Sequence, residues 1–172
     1  MNSTESLVRR ERPGDEAAVR TINEAAFGRP DEARLVDSLR SVSGALSLVT
    51  EQGGVLVGHI QFSPAILETR QDVFPLAALG PMAVLPQHHR QGFGSALVRA
   101  GLAACRDAGW RAVIVLGHPE YYPRFGFVPA EAFGIRSEYS VPREVFMALE
   151  LQPGALRGRS GLARYHPAFA SI

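Results

Sequence analysis

Lysine is absent from this 172-residue chain, and all eighteen basic residues are arginine. A Schiff-base or nucleophilic lysine is thereby excluded from the chain's own chemistry. Cysteine is nearly absent too. Cys105 stands alone, which rules out an intrachain disulfide and a multi-cysteine zinc site. No apolar run approaches the roughly 20 residues that a membrane-spanning helix needs. The stretch from Met1 to Glu16 holds no apolar signal core. Neither sign of charge is in excess, since the formal net charge is +1. That balance gives no electrostatic case for nucleic acid or an anionic membrane as the main partner. These absences predict a cytoplasmic protein.

What is present is an ordinary globular balance, with 46% apolar and 20% charged residues. The length suits one domain with a full core. Leu7 to Glu11 reads as a first strand. Asp15 is placed to cap a helix whose apolar residues are Ala18, Val19, Ile22, Ala25 and Ala26, ending at Phe27-Gly28. A second helix starts near Pro30-Asp31. Ala45 to Glu51 and Val55 to Ser63 flank Gln52-Gly53-Gly54, a hairpin signal. Leu76 to Leu85 is a further strand, with a bulge or pairing gap at Gly80-Pro81. A strong helix carries Leu97, Val98, Leu102 and Cys105 on one side and closes at Gly109. Ala112 to Leu116 reads as a strand buried on both faces. His118-Pro119-Glu120 predicts a short helix start, Gly126-Phe127-Val128 a strand, residues 130–144 a loop, and Val145 to Leu151 the last strand. Residues 1–151 thus form one domain, and 152–172 an extension packed on it. This order implies an α/β (α+β) fold with a largely antiparallel sheet flanked by helices.

The segment from Gly80 to Leu97 carries the chemistry. A strand enters a glycine-containing turn, Gln87-His88-His89-Arg90-Gln91-Gly92-Phe93-Gly94-Ser95, which opens a helix. The first N–H groups of a helix are unsatisfied and partly positive, and glycine lets an anion come close to them. A pyrophosphate suits such a turn. Alone, Gly-x-Gly before a helix is also what a glycine-capped loop looks like. A dinucleotide fingerprint lacks its third glycine and its acidic residue, and a Walker loop lacks its lysine.

This segment resembles the coenzyme A signature of the GNAT superfamily of N-acetyltransferases, namely Gln or Arg, two residues, Gly, one residue, then Gly or Ala. Gly92 and Gly94 match the glycines, while His89 stands at the Gln/Arg position. Tyr121-Tyr122-Pro123-Arg124-Phe125-Gly126-Phe127 resembles the family's Tyr-x-x-x-Gly-Phe element, with Tyr122 at the tyrosine. One helix and one strand separate the matches, and the element order agrees over residues 7–151. Leu-Gly-His-Pro-Glu-Tyr-Tyr and the C-terminal Arg-Tyr-His-Pro-Ala-Phe resemble a branch of stand-alone bacterial members without an assigned substrate.

The resemblance implies a twisted sheet with a splayed central strand pair and acetyl-CoA as acyl donor. It implies that Met82, Ala83 and Val84 line the thioester arm, and that a backbone N–H near Val84 faces the oxyanion. It further implies that His89, Arg90, Gln91, Gly92, Phe93, Gly94 and Ser95 hold the pyrophosphate. Tyr122 then protonates the departing thiolate, or serves only as a core aromatic. His59, on a neighbouring strand, is the first candidate for the base that deprotonates the amine, with Glu32 and Glu120 behind it. Adjacent His88 and His89 point apart, so no metal is expected. The acceptor is a small-molecule or peptide amine. The first two helices, His59 to Pro64, residues 130–144 and the tail shape its pocket. Two other readings stay open: a coenzyme A-binding regulatory or scaffold protein without turnover, and a transferase for a longer acyl group. Oligomeric state is open as well, a homodimer being the commonest soluble assembly.

Overall fold

The computed structural model describes residues 7–172; the first six, where the stretch lacking a signal core begins, lie outside the described residues. The chain forms two compact units. One holds the residues up to Phe62 with Pro81–Gly101 and Ala168–Ile172, and the other holds Ser63–Gly80 with Leu102–Pro167.

The first unit contains β1 (Leu7–Arg10), α1 (Glu16–Phe27), α2 (Asp31–Leu39), β2 (Leu46–Gln52), the first part of β3 (Val55–Glu68), the end of β4 (Val73–Val84) and the start of α3 (Phe93–Asp107). Helix α1 buries Val19, Ile22 and Asn23, and Gly28 stops it in the left-handed region at φ +70°. Asp15 precedes α1 as predicted, but its carboxylate makes no cap bond to the first turn. It accepts instead from the Arg9 guanidinium at 2.7 Å and the Arg12 N–H at 2.7 Å. A charge-assisted bond outcompetes a neutral N–H in the helix.

β2 pairs antiparallel with β1 and with β3. The β2–β3 turn is the predicted one, with Gly53 at φ +59° and Gly54 at φ +79°. Two further glycines set how α3 lies on this hairpin. A Cβ on Gly101 would fall 2.4 Å from Cε2 of the buried Phe62, and one on Gly58 would fall 3.0 Å from Cδ1 of Leu97. Their absent side chains let the helix approach the strand, which fixes where its N-terminus lies.

In the second unit β3 continues and pairs antiparallel with β9 (Gly161–Arg164), and β4 pairs in parallel with β5 (Ala112–Leu116). β8 (Phe146–Glu150) lies antiparallel between β5 and β6 (Val128–Pro129), and β7 (Ile135–Ser137) runs parallel to β9. Leu67, Leu76, Ile114, Phe127, Ile135 and Met147 are among its largest fully buried side chains. The β4–β5 ladder covers Ala77–Leu79, whereas β4 runs on to Val84. Gly80 at φ +144° and Pro81, which has no N–H, mark the point where pairing stops. The architecture is the α/β fold with a mostly antiparallel sheet that the sequence implies.

Three local expectations change. No helix starts at His118-Pro119-Glu120; a 3₁₀ turn covers Tyr122–Phe125, and Gly126 at φ +100° ends it and delays the next strand to Val128. Residues 130–144 are not all loop, since they hold a 3₁₀ turn at Ala130–Phe133 and strand β7. β8 is not the last strand, because β9 follows it within the Arg/Gly-rich tail. A Cβ on Gly161 would fall 2.0 Å from the Glu68 carbonyl oxygen, so β9 fits against β3 through backbone alone at that point. Such a strand carries no hydrophobic signal of its own.

Candidate functional site

The turn after β4 is built by backbone conformation. A 3₁₀ turn at Pro86–His88 leads to Arg90 at φ +60°, the one non-glycine residue with positive φ among the described residues. Gly92 follows at φ +87°, and α3 begins at Phe93. Holding arginine in the left-handed region costs about 1–2 kcal/mol, and such strain concentrates at functional sites. The N–H of Ala96 donates to the Gly92 carbonyl at 3.0 Å, the bond that opens the helical ladder. The N–H groups before it have no partner inside the helix. No acidic residue occupies the first turn of α3, and none occurs between Asp72 and Asp107. His89, Arg90, Gln91 and Gly92 are exposed. The turn is thus open to an anion, with no carboxylate in its own stretch of chain to compete for the place.

His89, where the family pattern has Gln or Arg, takes a defined part in this turn. Its Nε2 lies 2.8 Å from the Val84 carbonyl oxygen. A carbonyl only accepts, so Nε2 carries a proton and donates it. The side chain thus ties the end of β4 to the turn before α3. His88 turns the other way, with its ring edge-on to Phe93 at 5.8 Å. Ala83 and Val84 are buried and Met82 is partly exposed, while the Leu85 N–H donates to the Val57 carbonyl at 2.9 Å.

In the second unit Tyr122 is fixed by its ring. It packs edge-on against Tyr121 at 5.1 Å and Phe127 at 5.7 Å. Its other wall is Gly117, where a Cβ would fall 2.2 Å from Cε2 of Tyr122. The glycine that ends the buried strand is therefore the seat of the ring. The Tyr122 hydroxyl makes no hydrogen bond to another described residue, which leaves its donor available. Burial, with Tyr121 as a lesser contributor, pushes its pKa well above the ordinary tyrosine value. Tyr122 stays protonated throughout the neutral range.

His59 is not placed to act as a base. It is fully buried. Asn23 Nδ2 donates to its Nδ1 at 3.1 Å, so Nε2 carries the proton and donates to Ser47 Oγ at 2.9 Å. Ser47 in turn donates to Glu11, which accepts from Arg40 Nε at 2.9 Å. Burial first, and then the Arg40 charge, push the His59 pKa down to about 3. Both ring nitrogens are used and the imidazole is neutral, so His59 joins α1 to β2 and takes no proton from an amine. The other two candidates differ in setting. Glu32 is buried and held by Arg29 Nε at 3.0 Å, and Glu120 is exposed.

The structure thus gathers Met82 to Val84 and His89 to Ser95 at one strand–turn–helix junction, and it sets Tyr122 in the 3₁₀ turn after β5, against Gly117. Sequence reasoning missed the His89–Val84 tie, the polar chain around His59 and the seat at Gly117. The last had a visible signal, a glycine placed directly after a fully apolar strand and just before the tyrosine motif. Among the described residues no helix is long and apolar enough to cross a membrane.

The Acetyltransferase (GNAT) domain model matches residues 8–130. The uncharacterized N-acetyltransferase YjhQ of Escherichia coli K12 is 38% identical over 153 residues, 84% of each chain. The crystal structure of the Escherichia coli GNAT family N-acetyltransferase YhbS in complex with CoA has a TM-score of 0.89 at 31% identity, covering 99% of this chain and 94% of that one. A GNAT family acetyltransferase from Brucella melitensis in complex with acetyl-CoA has a TM-score of 0.76 at 35% identity, covering 96% and 99%. With an open anion-ready turn, an ordered tyrosine and a match over most of its length, the chain belongs to the GNAT acetyltransferase family.

Proposed function

We propose that this chain transfers an acetyl group from acetyl-CoA to an amine by direct attack in a ternary complex. The observation that carries the reading is the turn at Arg90–Gly92, strained, exposed and free of acids, at the open N-terminus of α3. Bound acetyl-CoA supplies an activated thioester. The backbone N–H groups from Arg90 to Ser95 bind its diphosphate, each contact worth about 0.3–2 kcal/mol, while the His89 N–H is taken by the Pro86 carbonyl at 3.2 Å. Arg90 has no carboxylate partner among the described residues and adds a charge-assisted bond. Met82, Ala83 and Val84 flank the pantetheine through backbone groups, as an added strand would be bound, and an N–H near Val84 stabilises the oxyanion. Tyr122 donates its proton to the departing thiolate. A thiol pKa near 8.5 lies below that of the phenol, so this donation needs the thiolate itself to be desolvated and oriented. With His59 removed from the role, the acceptor ammonium gives its proton to solvent.

The test is thiol release from acetyl-CoA against a panel of amines and amino acids. Amine-dependent release supports the transferase. Tight CoA binding with no release above the hydrolysis background for any amine would replace it with the binding-protein reading.

A further inference from the structure

Apart from the phosphate turn, the second unit contains a pocket of about 400 Å³. Its wall includes Glu131, Arg136, Tyr139, Val141, Arg143 and Phe146. Charge on this wall is uneven. Glu131 pairs with Arg143 at 3.3 Å, with side chains 54% and 84% exposed, so the two charges cancel in a weak, easily opened pair. The acid nearest to Arg136 in sequence, Glu138, is engaged elsewhere: it accepts the Tyr165 N–H at 2.7 Å and faces Arg164 at 3.6 Å. Arg136 is left with no ion pair among the described residues. A guanidinium is a planar fork suited to a carboxylate. The same wall holds the apolar Phe146 and Val141 and also Tyr139. The volume is at the small end for ligand sites, which fits an amino-acid-sized group and not a coenzyme.

The pocket and Tyr122 are fixed to the same end of β5. Phe146 pairs across the ladder with Leu116. The next residue, Gly117, donates its N–H to the Val145 carbonyl at 2.9 Å and carries the Tyr122 ring on its bare Cα.

We infer that this pocket binds the acceptor by its carboxylate: Arg136 grips the carboxylate, Phe146 and Val141 take an apolar side group, and the acceptor is an amino acid or close relative. The role as acceptor pocket rests on the acetyltransferase reading, but carboxylate binding by Arg136 does not. In the reaction the thioester C–S bond breaks as the C–N bond forms. The ammonium nitrogen loses two protons to solvent, and one is returned through Tyr122 to the coenzyme sulfur.

The experiment uses the full chain, with L-leucine, L-phenylalanine and L-methionine as acceptors, each beside its amide. The acids are expected to exceed the amides at least 10-fold in kcat/KM. Arg136→Gln is expected to raise the KM of the acids about 10- to 100-fold, the range for a charge-assisted bond, and to abolish the preference over the amides. The KM for acetyl-CoA stays unchanged. Equal use of acid and amide by the unaltered protein would overturn the inference, as would an Arg136→Gln variant with the same preference. Calorimetric titration with N-acetyl-L-leucine and N-acetyl-L-phenylalanine judges the pocket without turnover. Binding that weakens at least 10-fold in Arg136→Gln supports it even if no thiol is released, in which case only the transferase reading fails. No binding of either at millimolar concentration would overturn the pocket itself. Arg136 is exposed, so the variant is expected to keep the parent's thermal midpoint.

Discussion

Removing one oxygen atom separates the two roles open to Tyr122. In Tyr122→Phe the ring keeps its edge-on contacts at 5.1 Å and 5.7 Å and its seat on Gly117. The hydroxyl makes no hydrogen bond to another described residue, so its loss leaves no buried partner stranded. Stability should therefore change by no more than about 0.5 kcal/mol. A positioned general acid is worth about 10²- to 10⁴-fold, or roughly 3 to 5 kcal/mol of barrier. Turnover should fall by that factor, while the KM for acetyl-CoA, on the proposed binding at the turn before α3, stays within about 2-fold. Because burial raises the phenol pKa, the parent should show no alkaline loss of activity from Tyr122 as pH approaches 10. Thiol release at saturating acetyl-CoA measures turnover, and urea unfolding measures stability. A Phe variant with parental turnover and parental stability would show that the hydroxyl does no chemistry and that Tyr122 is a packing residue.

Gly117→Ala keeps the hydroxyl but drives a methyl to 2.2 Å from the ring; it should cost about 1–3 kcal/mol by overpacking and lower turnover by displacing the donor, and parental values of both would refute the seat. Gly92→Glu places a side chain at φ +87° and a negative charge beside the diphosphate site; acetyl-CoA affinity measured by calorimetry should fall at least 10-fold, and an unchanged value would mean that the turn does not bind the diphosphate. His59 has its pKa pushed down to about 3 from an ordinary 6.5. The folded state holds it neutral while the unfolded state takes a proton, so its contribution is complete above pH 6.5 and is lost as pH falls towards 3. The slope is about 1.4 kcal/mol per pH unit. Between pH 6 and pH 4 the parent should lose about 2–3 kcal/mol more than His59→Gln in urea unfolding, and equal losses would refute the buried neutral imidazole.

Local patterns were legible wherever one short segment determines its own conformation. The Gln52-Gly53-Gly54 turn, the apolar strand Ala112–Leu116 and the helix after Gly92 each appear as their residues dictate. The family followed from two such segments, since an anion turn and a tyrosine motif are both contiguous in sequence. β9 was not legible, because Gly161–Arg164 has no pattern of its own and becomes a strand only when β3 offers its edge.

The candidate site divides in the same way. Sequence determined the positive φ of Gly92 in the turn before α3, because glycine adopts it without a steric cost. It left the function of His59 undecided, since an imidazole is a base, a ligand or a structural bridge according to what surrounds it. Only the tertiary structure supplied Asn23 from α1 and Ser47 from β2, which occupy both nitrogens and exclude water. It likewise turned His89 from an imperfect motif match into a tie to Val84, and it left Arg136 without an ion-pair partner among the described residues while giving Glu138 to Arg164. Backbone conformation is encoded locally, but the protonation and partners of a side chain depend on neighbours that folding brings from elsewhere in the chain.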